Sequence, residues 1–208
     1  MNDREPAPSH RSPTRQRVTD AAMRLFGERG YAATTVAQIE AEAGLRSGSG
    51  GLYRHFGSKR ELLETGVREQ LASARSLEQF IDDPQALSDA SLRDRLRAVA
   101  RAGLARLDEE RDLNRIILRD LRDFPELIRL VRENEMRRIQ SVLATWLRAQ
   151  VGDRTDDIDW EALAAVLMGA VSHYWVLRDS MAEHPSGVSQ DAYLDALVDL
   201  VAQRFAAA

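Results

Sequence analysis

The chain has 208 residues, of which 44% are hydrophobic and 30% are charged, as in an ordinary globular protein. It contains no cysteine, which excludes thiolate metal sites, iron–sulfur clusters, cysteine nucleophiles and disulfide scaffolds. No apolar run approaches the roughly 20 residues that a membrane span requires, and the N-terminus lacks the apolar stretch of a secretory signal. We therefore expect a soluble, cytoplasmic protein with no membrane partner.

The charge is distributed unevenly along the chain. Residues 1–60 hold ten Lys or Arg and six Asp or Glu, whereas residues 61–208 hold nineteen and twenty-seven. The two parts therefore carry net charges of +4 and −8. This asymmetry is expected of a protein that meets a polyanion at one end only.

The first predicted element is a flexible arm over residues 1–13, which contains three prolines and almost nothing apolar. A helix follows at once, because Ser12 can cap it and Pro13 suits its first position. Apolar residues recur at spacings of three and four up to Phe26, as in an amphipathic helix. The glycines at positions 27 and 30 predict its end.

The next two predicted helices both begin with a capping box. Thr35 with Gln38 opens a short helix that ends at Gly44. Ser58 with Glu61 opens a longer one, which extends to about residue 80.

Five more amphipathic helices are predicted in the rest of the chain: residues 91–108, 112–122, 125–150, 157–183 and 189–206. No stretch sustains the period of two that a half-buried strand requires. We therefore predict an all-α fold.

A glycine-rich turn at residues 47–51 joins the short helix to a segment of barely two turns, and this arrangement indicates a helix-turn-helix. Groups that can bind phosphate are concentrated at the helix starts. Thr34 and Thr35 offer hydroxyls and free amides, and Lys59 adds an ammonium to the first turn of the next helix. In a major groove Arg54 could pair with guanine, while its two neighbours contact phosphates.

Residues 21–40, with the run AAMRLFGERGYAATTVAQIE, resemble the first half of the DNA-binding domain of the TetR (tetracycline-repressor) family. Four shorter runs resemble the second half of that domain: residues 43–45, 52–56, 58–59 and 62–63. The similarity spans about residues 14–66. Seven residues separate Gly44 from Leu52, two more than in the common family pattern, so the turn before the recognition helix is longer.

The resemblance implies a homodimer of two-part, all-helical subunits. Residues 14–60 would form an N-terminal three-helix helix-turn-helix domain that binds DNA. Residues 61–208 would form a larger C-terminal helical domain that binds a small molecule and makes the dimer. Most members of the family repress transcription and release DNA when ligand binds, so we expect a pseudo-palindromic operator and a small-molecule effector as partners.

The motif and the resemblance together indicate ten DNA-binding residues: Thr34, Thr35, Arg46, Ser47, Ser49, Gly51, Tyr53, Arg54, His55 and Lys59. Two of these assignments have plainer alternatives. Tyr53 could be a core aromatic residue, and Arg54 could be a solvated side chain.

Polar or aromatic residues within otherwise apolar helices are the candidate ligand contacts: Asn114, Trp146, His173, Tyr174 and Trp175. The two tryptophans also fit a place in the core, and the histidine fits a core or an interface. The mixture favours a hydrophobic or aromatic effector.

The helices predicted at 157–183 and 189–206 could form a four-helix seam with their copies in a second subunit. Small residues would allow a close approach there: Ala162, Ala165, Gly169 and Ala170. The same stripe could instead be the centre of a monomer core.

Catalysis is not expected. The four histidines show no metal-binding spacing, and the glycine–serine turn lacks the ending of a nucleotide-binding loop and follows a helix. We therefore expect no catalytic residue, metal or cofactor. Two other functions stay open: an activator or ligand-independent regulator on the same scaffold, and a helical module that binds another protein.

Overall fold

The computed structural model describes residues 12–48, 50–73, 81, 90–151 and 158–206. Nine α-helices lie in these ranges: α1 Pro13–Arg29, α2 Val36–Glu42, α3 Lys59–Ser73, α4 Leu92–Glu109, α5 Arg111–Arg119, α6 Pro125–Val131, α7 Arg137–Ala149, α8 Trp160–Met181 and α9 Gln190–Ala206. The described ranges contain no strand, and the predicted all-α fold is confirmed. Most of the predicted arm, and the predicted extension of α3 to residue 80, lie outside the described residues.

The chain divides into two compact units. The first contains residues 1–73 and 112–128, and the second contains residues 74–111 and 129–208. The backbone therefore passes between the units three times. The predicted functional division after residue 60 stays a prediction.

The helix starts of the first unit follow the local signals in the sequence. The hydroxyl of Ser12 accepts from the Arg15 N–H, with Pro13 in the first turn of α1. Both bonds of the capping box at Thr35 and Gln38 are present, at 3.3 and 2.8 Å. The core of this unit includes five buried apolar side chains: Leu25, Phe26, Ile39, Leu52 and Phe56.

Residues 112–128 pack against the end of α1. A Cβ at Gly27 would lie 2.7 Å from the Asp112 Cα, so only glycine permits this approach. Arg119 donates hydrogen bonds to the carbonyls of Phe26 and Gly27 in the last turn of α1, where helix geometry leaves few backbone partners. The Phe26 carbonyl also accepts from the Gly30 N–H. The Tyr31 ring lies 4.9 Å from that of Phe124, edge to face.

The second unit buries two apolar clusters among α4, α7, α8 and α9. One cluster includes Leu96, Leu147 and Val201, and the other includes Leu104 and Trp175. Four ion pairs also join α4 to α9 as a ladder: Arg93 with Asp199, Arg97 with Asp195, and both Arg97 and Arg101 with Asp191.

The predicted helix at 125–150 is interrupted by a π-helical turn at Arg132–Met136. Apart from Ala144, its buried residues recur at every fourth position: Leu127, Val131, Glu135, Ile139, Leu143 and Leu147. A step of four advances about 40° beyond a full α-helical turn, and the wider π turn corrects part of that drift. The correction buries Glu135, which pairs with Arg106 and Arg138.

Helix α8 has 22 residues and is long and apolar enough to cross a membrane by length and composition alone. The expectation that no apolar run approaches this length is therefore wrong. The buried core helix of a soluble protein would pass the same test, but little of α8 is buried within the chain. Its exposed apolar face requires another explanation.

Candidate nucleic-acid interface

The predicted recognition segment is a single 3-10 turn, Leu52–Arg54, rather than a helix of two turns. Gly48 and Gly50 have φ angles of +72° and +71°, a left-handed conformation that interrupts a helix and favours glycine. Leu52 is buried, whereas Tyr53 is 56% exposed. The core alternative for Tyr53 is therefore wrong.

Two arginines on this surface are exposed and have no carboxylate partner among the residues that the structure describes. Arg46 and Arg54 take part in none of the ion pairs found in the described part of the chain. By contrast, Arg24 and Arg60 of the same unit are both paired with glutamates. A guanidinium that is already free can meet a phosphate or a guanine edge without breaking an ion pair.

The two threonines at the start of α2 differ in accessibility. Thr34 is 1% exposed, and its hydroxyl lies 2.8 Å from the Gly30 carbonyl and 3.1 Å from the Leu25 carbonyl, to which it donates. Its side chain cannot reach a phosphate without leaving the core. Thr35 is exposed and caps α2, so Thr35 is the better phosphate candidate.

Lys59 lies at the start of α3 and joins it to the loop between α1 and α2. Its Nζ donates to the carbonyls of Tyr31, at 2.8 Å, and Thr34, at 2.9 Å, and lies 4.2 Å from the centre of the Tyr31 ring. Burial lowers the pKa of Lys59, and the Asp120 carboxylate offsets part of that effect. One N–H of the ammonium remains for a phosphate, and that contact stays a prediction.

The other predicted residues lie around the turn. Ser47 is exposed and donates to the Ala37 carbonyl at 3.0 Å. Gly51 and His55 are half-buried. Ser49 lies outside the described residues.

Glu40 is a residue of this site that the sequence interpretation missed. It is fully buried on α2, and its carboxylate accepts from the Gly48 N–H at 2.7 Å and the Leu52 N–H at 3.0 Å. The available signal was an acid beside the buried Ile39, shortly before a turn rich in unpaired amides.

The structure does not bring the five candidate ligand residues together. Trp146 lines a cavity of about 260 Å³ with Ser141, Thr145 and three apolar residues. Tyr174 is buried and stacks on His184, with ring centres 4.9 Å apart.

The remaining candidates lie elsewhere. Trp175 is buried and its indole N–H donates to Asp108 at 3.0 Å. His173 is exposed on α8, and Asn114 belongs to the first unit. Although burial raises the pKa of Asp108, hydrogen bonds from Arg178, Trp175 and Arg111 outweigh it and hold that pKa below its usual value.

Two family profiles match the chain. Residues 18–65 match the family described as "Bacterial regulatory proteins, tetR family". Residues 92–208, more than half of the chain, match the one described as "HTH-type transcriptional dual regulator CecR, C-terminal domain".

Individual proteins show the same likeness. The HTH-type transcriptional repressor KstR2 of Rhodococcus jostii (strain RHA1) is 45% identical over 60 residues, which are 29% of this chain and 28% of that protein. A solved TetR-like transcriptional regulator from Rhodococcus sp. RHA1 is 21% identical, with 98% of this chain and 99% of that chain covered and a TM-score of 0.67. The regulator FadR from Bacillus subtilis, solved with stearoyl-CoA, is 20% identical, with coverage of 91% and 96% and a TM-score of 0.59. These two structures share the fold.

Proposed function

The chain belongs to the TetR family of bacterial regulatory proteins, and on that premise we propose that it is a homodimeric transcriptional repressor that a small molecule releases from a pseudo-palindromic operator. The observation that carries the proposal is the exposed turn of Tyr53 and Arg54, which lies beside α2. Within the described ranges neither the Arg54 guanidinium nor that of Arg46, in the same loop, has a carboxylate partner.

DNA binding would combine two kinds of contact. Thr35 and Lys59 lie at helix starts, where amides and positive charge favour phosphates. Arg54 is the candidate for reading a base, since its guanidinium can donate two hydrogen bonds to guanine. Two such sites in a dimer would meet successive major grooves, with half-sites roughly 34–36 Å apart.

The dimer would form through α8 and α9, the helices observed within the predicted ranges 157–183 and 189–206. Ala162, Ala165, Val166 and Gly169 are all exposed on α8, at spacings that place them on one face. Val166 is 65% exposed, and Leu200 on α9 is 68% exposed. A second copy that packs on this face would bury an apolar surface that water otherwise meets, and it also explains the apolar character of α8.

The effector site is proposed at the cavity beside Trp146. Its lining combines apolar side chains with the hydroxyls of Ser141 and Thr145, which suits a mainly hydrophobic ligand with a polar group. The solved FadR structure contains stearoyl-CoA, which favours a ligand with an apolar chain.

Release would follow from unequal affinity of the effector for the two states of the dimer. Residues 112–128 belong to the first unit but are joined at both ends to the second. A change in the second unit can therefore act on the first through these connections as well as through α3. A preference of about 3 kcal/mol for the released state would weaken DNA binding roughly a hundredfold.

A second candidate function is regulation in both directions. The profile that matches residues 92–208 is that of a transcriptional dual regulator, so an activator on the same scaffold is the alternative to a repressor. A transcription assay on the operator, with and without effector, separates them: a repressor lowers the basal rate, whereas an activator raises it.

We propose that the protein binds its operator in the cytoplasm. The first experiment is a footprint of the purified protein on the DNA upstream of its own gene, recorded at two salt concentrations. A protected pseudo-palindrome with steep salt dependence supports the proposal. If the footprint shows no protection and selection from random-sequence DNA yields no preferred site, the proposal is wrong. A helical module that binds another protein then becomes the better interpretation.

A further inference from the structure

We propose that Glu40 is the positioning residue that makes the lengthened turn able to read DNA sequence. Its buried carboxylate accepts hydrogen bonds from the N–H groups of Gly48 and Leu52, at 2.7 and 3.0 Å. These amides lie at the two ends of the glycine-rich part of the turn. One side chain on α2 therefore fixes both ends of the loop that precedes Tyr53 and Arg54.

The two hydrogen bonds from Gly48 and Leu52 to Glu40 are called the clamp below. The turn needs this clamp because its own conformational preferences are weak. Three of the residues from 48 to 51 are glycines, and glycine loses more backbone freedom on ordering than any other residue. The Leu52 N–H opens a 3-10 turn and has no partner within it, as at any helix start. Glu40 supplies that partner from a part of the chain that α1 and α2 hold in place.

The clamp affects discrimination between DNA sequences more than it affects the general affinity for DNA. Arg54 lies two residues after the clamped Leu52 amide, so its direction follows the placement of that amide. Bidentate pairing with a base requires a fixed direction, whereas attraction to phosphates tolerates movement. Loss of the clamp should therefore weaken binding to the operator more than binding to unrelated DNA.

This inference rests on the proposed function, and the test separates the two. The DNA is a duplex that the wild-type dimer selects from a random pool, with a scrambled duplex of equal length and composition as reference. The variant is Glu40→Gln, which keeps the shape of the side chain but turns an amide donor towards one of the two N–H groups. The control is Glu42→Gln, which removes the same charge from the exposed side of α2.

The expected result is a loss of at least tenfold in the ratio of operator to scrambled affinity for Glu40→Gln, with an unchanged salt slope on scrambled DNA. Glu42→Gln should keep the ratio within about twofold of wild type. Equal losses on both duplexes, or a ratio that matches the control, would overturn the positioning role. A wild-type protein without any preference would instead refute the proposed function itself.

Amide hydrogen exchange of the free wild-type protein keeps the inference testable if Glu40→Gln does not fold. The Gly48 N–H belongs to an exposed loop residue, so without the clamp it would exchange at the rate of an unstructured peptide. We expect exchange at least tenfold slower than that rate. Exchange at the unprotected rate would overturn the inference.

Discussion

Lys59→Ala is the substitution that best tests how the first unit combines stability with DNA binding. The ammonium donates to two carbonyls of the loop before α2 and lies over the Tyr31 ring. Hydrogen bonds from a charged donor contribute about 1.5–3 kcal/mol each, but Lys59 is only half-buried, so solvent screening places the total below the lower end of their sum. We expect a loss of about 2 kcal/mol, which for a chain of this size lowers Tm by about 4–8 °C.

The same substitution should also change the salt dependence of binding. One phosphate contact contributes about 0.9 to the slope of log affinity against log salt, so we expect the slope to fall by about that amount on every duplex. The assay is a fluorescence anisotropy titration on operator and scrambled DNA between 50 and 200 mM salt, well below the Tm of the variant. Arg122→Ala is the control, because it removes one exposed cation from the same unit.

The two results are independent and each refutes a different part of the reasoning. An unchanged salt slope would show that Lys59 contacts no phosphate. An unchanged Tm would show that its bonds to the two carbonyls do not stabilise the unit. If the control shows the same decrease in slope, the effect belongs to overall charge rather than to Lys59.

Three further predictions concern other parts of the molecule. Arg54→Ala should reduce the ratio of operator to scrambled affinity by a factor corresponding to about 1–3 kcal/mol, and an equal loss on both duplexes would remove it from base reading. Val166→Glu or Leu200→Glu should convert the dimer to monomers in analytical ultracentrifugation. The control is Leu118→Glu, which changes a leucine of the first unit with similar exposure and should leave the dimer intact. If all three variants remain dimers, the interface lies elsewhere. The pKa of Asp108 is lower in the folded chain, so its contribution is present above the unfolded value of about 3.9 and is lost as pH falls through the folded value. Asp108→Asn should therefore reduce the free energy of unfolding in urea at pH 7, and by a smaller amount the further the pH falls below about 3.9; an equal loss throughout that range would refute the assignment.

The starts of α1 and α2, and the end of α2, follow from the sequence alone because their signals are local. Ser12 and Thr35 cap the helices that follow them, and Gly44 takes the left-handed conformation just after α2. Each signal acts over three or four residues and is the same whatever the rest of the chain does. The DNA-binding motif was visible for the same reason, since its residues lie within one continuous stretch.

Tertiary structure decided which of those residues are available for function. Adjacent threonines look equivalent in the sequence, but only the fold buries Thr34 and leaves Thr35 exposed. The fold likewise buries Tyr174 and Trp175 in one apolar cluster of the second unit.

Local sequence patterns could not predict contacts between residues that lie far apart in the chain. Residues 112–128 join the first unit, although eighty residues of sequence separate them from α1, and Glu40 accepts amides from a turn whose conformation its own helix does not dictate. A helix start depends on its nearest neighbours, so sequence alone can specify it. The partner of a buried carboxylate or guanidinium depends on which distant segment the packing brings within about 3 Å, and only the folded chain determines that.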